Sequence, residues 1–137
     1  MVHVLSSRLL LQPADFPSTL AFYEDVLGLV RSREFGSPGH RGVVFFLGGA
    51  ELELTESDNP GPPPTGMRLW LRVADAREAF GQVVARGATA ASTPELKPWG
   101  LIEASIADPD GLELVLVEVP AEHPLRSDPR STPDLDR

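Results

Sequence analysis

Residues 8–15 read RLLLQPAD and residues 68–75, sixty positions on, read RLWLRVAD, so five of eight positions are identical. A chain of 137 residues that restates itself at this period is constrained to fold as a duplicated supersecondary unit, because one short strand and one helix cannot bury an apolar face alone. The first copy alternates, with Leu9 and Leu11 on one face of a strand and Arg8, Leu10 and Gln12 on the other. Asp15 and Pro17 then mark a helix start, Leu20, Tyr23 and Leu27 recur at helical spacing, and Gly28 ends the helix. The second copy places Leu69, Leu71 and Val73 opposite Arg68, Trp70 and Arg72. Asp75 and Glu78 stand at capping-box spacing, Ala79, Phe80 and Val83 form the apolar stripe, and Gly87 closes the helix. The helix-ending glycines are 59 apart where the strands are 60 apart, so the two copies differ by one residue.

Further strand signals follow each helix. LVRSREF, RGVVFFL and AELELTE come in the first half, and ATAASTPEL, LIEASIA and LELVLVEV in the second, separated by GSPGH, GG, KPWG and DPDG turns. Each half therefore reads strand, helix, strand, strand, strand. The predicted organisation is one α+β domain over residues 1–119, with repeat one at 5–56, a Pro/Gly linker at 57–66 and repeat two at 67–119. Residues 120–137 are polar, Pro-rich and aperiodic, and are expected to form a mobile tail.

Composition excludes several classes of function. With no cysteine there is no disulfide, thiolate nucleophile or zinc–thiolate site. A net charge of −8 without a basic cluster argues against nucleic acid. The acidity suits a cationic ligand or simply keeps the protein soluble. No apolar run reaches membrane-spanning length and no basic, apolar leader opens the chain, so a cytoplasmic protein without a membrane partner is expected.

The tandem strand–helix–three-strand repeat, with FYEDVLGL at residues 22–29, PWG at 98–100 and DPDG at 108–111, resembles the vicinal oxygen chelate superfamily. That family contains glyoxalase I, extradiol dioxygenases and the bleomycin- and fosfomycin-resistance proteins. The resemblance covers about residues 5–119 and implies two sheets curled into an incomplete barrel around a cavity, helices outside, and a homodimer. The alternation agrees: Leu9/Leu11, Leu52/Leu54, Leu69/Leu71 and Leu114/Leu116 form helix-covered faces. Arg8, Gln12, Glu51, Glu53, Arg68, Trp70, Arg72 and Glu113 fall on the opposite faces.

Metal-dependent members of that family place a His at the first residue of each R-L-x-L strand and a Glu in the last strand of each half. Position by position those sites carry Arg8, Glu53, Arg68 and Val115, with Glu51 and Glu113 as neighbours if the register slips by two. A guanidinium has no lone pair to give a metal, and His3, His40 and His123 lie outside the strands. No metal or other cofactor is expected. The arginines should pair with Glu53, Glu51 or Glu113, and their N–H forks also suit a carboxylate, phenolate or quinone-like oxygen of a ligand. Trp70 faces the cavity by parity, and Trp99 lies in the KPWG turn that borders the cleft in bleomycin-resistance-like members. These indoles either fill core or stack on a flat ligand. Glu53 is a weak candidate base, since a lone carboxylate without an acid–base partner is a weak catalytic signal.

The resulting expectation is metal-independent binding of a small, aromatic organic molecule, of the antibiotic-sequestering kind, through Arg8, Gln12, Glu53, Arg68, Trp70, Arg72, Trp99 and Glu113. The alternative is a glyoxalase-type lyase, isomerase or dioxygenase with displaced or absent metal ligands.

Overall fold

A computed structural model describes residues 1–127. The first half runs β1 (Arg8–Leu11), α1 (Phe16–Ala21), a π-helical turn (Phe22–Val26) continuing α1, β2 (Arg31–Phe35), β3 (Gly42–Leu47) and β4 (Ala50–Thr55). The second runs β5 (Arg68–Arg72), α2 (Ala76–Ala85), β6 (Thr89–Leu96), β7 (Ile102–Ala107) and β8 (Glu113–Glu118). Each half forms its own four-stranded mixed sheet, in the orders β1-β4-β3-β2 and β5-β8-β7-β6, with the first and last strands of each half parallel. The duplication thus extends from sequence to topology, and the two sheets stay unclosed.

The register repeats as well. Arg8 lies opposite Glu51, Leu9 opposite Leu52, Leu10 opposite Glu53 and Leu11 opposite Leu54. In the second half Arg68 meets Glu113, Leu69 meets Leu114, Trp70 meets Val115 and Leu71 meets Leu116. Because side chains alternate, the leucines of both sheets turn to one side. There Leu52, Leu54, Leu114 and Leu116 are buried with Phe16, Phe22, Tyr23 and Val83 in a single core cluster that spans both halves. The polar partners of those leucines consequently all point away from the core.

Local signals behave as their chemistry requires. The Asp15 carboxylate accepts the Ser18 N–H at 3.1 Å and that of Asp75 accepts the Glu78 N–H at 3.0 Å, so both helices are N-capped by aspartate. The box at α2 is half formed, since the Glu78 carboxylate accepts from the Gln82 amide at 3.2 Å. Gly28 and Gly87 take φ of 78° and 109°, a region costly for any residue with a Cβ.

The DPDG turn binds the halves together. Asp108 is buried and its carboxylate accepts the Tyr23 hydroxyl at 2.8 Å and the N–H groups of Asp110 and Leu112 at 2.9 Å each. Asp110 in turn accepts the Ala14 N–H at 3.2 Å. Residues 120–127 also pack: Leu125 lies on a small cluster of Leu101, Val115, Val117 and Val119, and His123 Nε2 bonds the Trp99 carbonyl at 2.9 Å. The rest of the expected tail, 128–137, lies outside the described residues.

Candidate functional site

In the second sheet the outward positions of β5, β7 and β8 carry Arg68, Trp70, Glu103, Ser105, Glu113 and Val115. The turn between β6 and β7, closed by the Gly100 N–H on the Lys97 carbonyl at 2.8 Å, swings Trp99 over the same face. Together these enclose a cleft of about 560 Å³, which Ser92 and Lys97 complete. Trp70 and Trp99 are 51% and 58% exposed, so neither indole serves as core filling.

Hydrogen bonds divide the lining into spent and unspent groups. Trp99 Nε1 donates to Glu103 at 2.5 Å, Ser92 and Ser105 share a 2.8 Å bond, and Lys97 is paired with Glu95. Among the described residues the Arg68 and Glu113 side chains have neither ion pair nor hydrogen bond, although the two are cross-strand partners. The cleft therefore offers five guanidinium N–H donors, a carboxylate and two indole faces to a molecule from solution.

The first sheet is the opposite case. Arg8 donates to Glu53 at 2.8 Å and to Glu51 at 3.0 Å, and the Ser32 hydroxyl adds a 3.1 Å bond to Glu51. Those bonds, Arg8 first and Ser32 second, hold the Glu51 carboxyl below the usual carboxylate range, and Glu51 and Glu53 raise the Arg8 guanidinium. The expected pairing thus holds for Arg8 and fails for Arg68. The equivalent of Glu53 in the second half is Val115, so Arg68 lacks the second carboxylate that clamps Arg8. Arg68 is also exposed, so leaving it unpaired incurs none of the cost of a buried charge.

The eight residues read from the sequence are not gathered in one cavity. Arg68, Trp70, Trp99 and Glu113 share the second-sheet cleft. Arg8 and Glu53 bond each other, while Arg8 and Arg68 both border a smaller seam of about 300 Å³. Gln12 lies past the end of β1 in a cleft of about 520 Å³ with Glu53, Pro62 and Asp110. Arg72, at the far end of β5, borders a third cleft beside α2. Ser92, Lys97, Glu103 and Ser105 line the second-sheet cleft without having been picked out from the sequence. The alternation of LIEASIA already set Glu103 and Ser105 on one face.

A metal at the four positions that the resemblance implies does not fit. Its four positions hold two guanidiniums, a valine and a carboxylate already bonded to Arg8. Among the described residues no three His, Asp or Glu side chains come together as a ligand set.

The fold and this outward-facing cleft define an α+β protein of the glyoxalase-fold type. The profile of the Glyoxalase/Bleomycin resistance protein/Dioxygenase superfamily matches residues 2–116, and the chain belongs to that superfamily. Among solved structures, SMU.1112c is 25% identical with a TM-score of 0.71, covering 84% of this chain and 98% of its own. A superfamily member from Sphaerobacter thermophilus is 27% identical with a TM-score of 0.65, covering 85% and 98%. Glyoxalase I from Zea mays shares the fold at 18% identity and a TM-score of 0.72, covering 82% of this chain and 43% of its own. No curated protein matches. No helix among the described residues is long and apolar enough to cross a membrane.

Proposed function

We propose that this protein binds a small, planar aromatic molecule bearing an anionic or strongly polar oxygen, without a metal, in the second-sheet cleft, and that it acts by sequestration as antibiotic-binding members of the superfamily do. The observation that carries this reading is Arg68: it occupies a metal-ligand position of the fold, has no carboxylate partner among the described residues, and lines one cleft with two half-exposed indoles. A guanidinium fork grips a carboxylate or phenolate in two parallel hydrogen bonds, and stacked indoles hold a flat ring. Glu113 accepts from a hydroxyl or amine on the same ligand.

The proposal extends to assembly in the cytoplasm as a homodimer. The outward face of the first sheet carries Leu10 and Phe46, 65% and 55% exposed, around the ion-paired Arg8–Glu51–Glu53 cluster. Such a face suits cover by a second copy. Sedimentation at micromolar concentration should give twice the monomer mass.

The test of function is a fluorescence titration of purified protein with a panel of aromatic antibiotics and quinones, alongside thiol adducts of methylglyoxal. Saturable tryptophan quenching by aromatic compounds, which are recovered unchanged, is the expected result. Quenching only by the thiol adducts, with turnover, would establish the enzymatic alternative.

A further inference from the structure

The cleft beside α2 that Arg72 borders, of about 460 Å³, lies between the two repeats and shares only Trp70 with the second-sheet cleft. Its floor is apolar and comes from both halves: Leu27, Leu29 and Leu47 from the first, Val73 and Val83 from the second. The turn at Gly48 and Gly49 forms one rim, and a Cβ at either glycine would meet nothing within 4 Å, so that rim is open. Among the described residues no aspartate or glutamate lines the cleft, whereas Arg72 and Arg86 both border it.

Those two arginines, like Arg68, hold no carboxylate among the described residues. With 20 acidic and 12 basic residues, carboxylates are in excess, and Arg8, Arg31 and Arg41 each hold at least one. The Arg72 side chain has no ion pair or hydrogen bond among the described residues. Arg86 gives one N–H to the Val26 carbonyl at 3.4 Å and meets no carboxylate among the described residues. An apolar trough of ligand size, flanked by two guanidiniums with donors to spare, is complementary to a molecule with a hydrocarbon body and one anionic head.

We propose that this cleft is a second binding site, taking a medium-chain acyl carboxylate with its chain on the leucine and valine floor and its carboxylate met by Arg72 and Arg86. The proposal is independent of the function assigned above, because Arg68, Trp99 and Glu113 do not border this cleft.

The test uses octanoate and its neutral isostere octanamide, neither of which can stack between indoles. In ¹H–¹⁵N spectra of the full chain, octanoate should shift the amides of Gly48, Gly49, Ala79 and Val83 saturably, and octanamide should bind at least tenfold more weakly. Arg72→Gln with Arg86→Gln should reduce octanoate to the level of octanamide, while Arg68→Ala leaves octanoate binding unchanged. Both arginines are exposed, and the wild-type map stands even if the double variant folds poorly. Equal binding of acid and amide, absence of shifts at those four amides, or loss of octanoate binding in Arg68→Ala would each overturn the assignment. So would shifts of the same amides on dilution of the protein alone, which would mark the cleft as a contact between copies.

Discussion

Replacing Tyr23 by phenylalanine tests what ties the repeats together. The ring is fully buried, packs edge-on against Phe22 at 4.9 Å between centroids, and places its hydroxyl 2.8 Å from the Asp108 carboxylate. Phenylalanine keeps the ring contact and removes only the donor, leaving one oxygen of a buried carboxylate unsatisfied while the other keeps its two backbone N–H bonds. Hydrogen bonds to charged groups contribute about 1.5–3 kcal/mol, so Tyr23→Phe should cost about 2–3 kcal/mol. At roughly 4 °C per kcal/mol for a chain of this size, Tm falls by about 8–12 °C.

The alkaline limb gives a second readout. Burial, then the Asp108 charge, pushes the Tyr23 phenol well above its ordinary value. A folded-state pKa above the unfolded one means that stability is fully present below about pH 10 and is lost as pH rises further, because only the unfolded chain then releases the proton. Tyr23 is the sole tyrosine, so urea unfolding should show a loss of about 1.4 kcal/mol per pH unit above pH 10 in the wild type that is missing in the variant. A neutral effect at pH 7, or identical alkaline limbs, would refute the buried bond between the halves.

Arg68→Ala should change unfolding free energy by no more than about 0.5 kcal/mol, since the side chain is exposed and unpaired; a larger loss in chemical denaturation would mean that it holds a partner. Glu51, Glu24 and Glu56 are all lowered by arginine hydrogen bonds. Their contribution is therefore complete above the ordinary carboxylate range and disappears as pH falls through their depressed values. The urea midpoint should decline from pH 5 downward, and Arg8→Ala should flatten that decline. Leu125→Ala should cost about 1–2 kcal/mol by uncovering the Val115–Val117–Val119 patch; an unchanged Tm would show that residues 120–127 do not support the sheet.

Most of the architecture was legible because the chain states it twice. Period-two leucines opposite charged residues fixed both sheet faces, and aspartate caps with terminal glycines bounded both helices. The strand GVVFFL carries no period-two signal: Val43, Val44 and Phe45 are all buried and Phe46 emerges exposed. Sheet parity set Arg72 on the strand face opposite Leu69 and Leu71, yet parity carries no information about position along the strand, and Arg72 lies beyond the cleft that holds Trp70 and Trp99. The difference between the two arginines was written in ELEL against ELVL. Its consequence needed the register, which sets Val115 where Glu53 would clamp a guanidinium. Leu125 gave no signal, because one apolar residue in a polar, Pro-rich stretch has no period to betray its contact.

Metal-independent binding at Arg68 is tested most directly by calorimetric titration of the tightest aromatic ligand against protein dialysed with and without a strong chelator, for wild type and Arg68→Ala. The account predicts the same affinity in both dialysates and a loss of about tenfold or more in the variant, the scale expected for one charge-assisted hydrogen-bonding group. A divalent ion retained at one per chain, with binding that vanishes on chelation and is indifferent to Arg68, would contradict it.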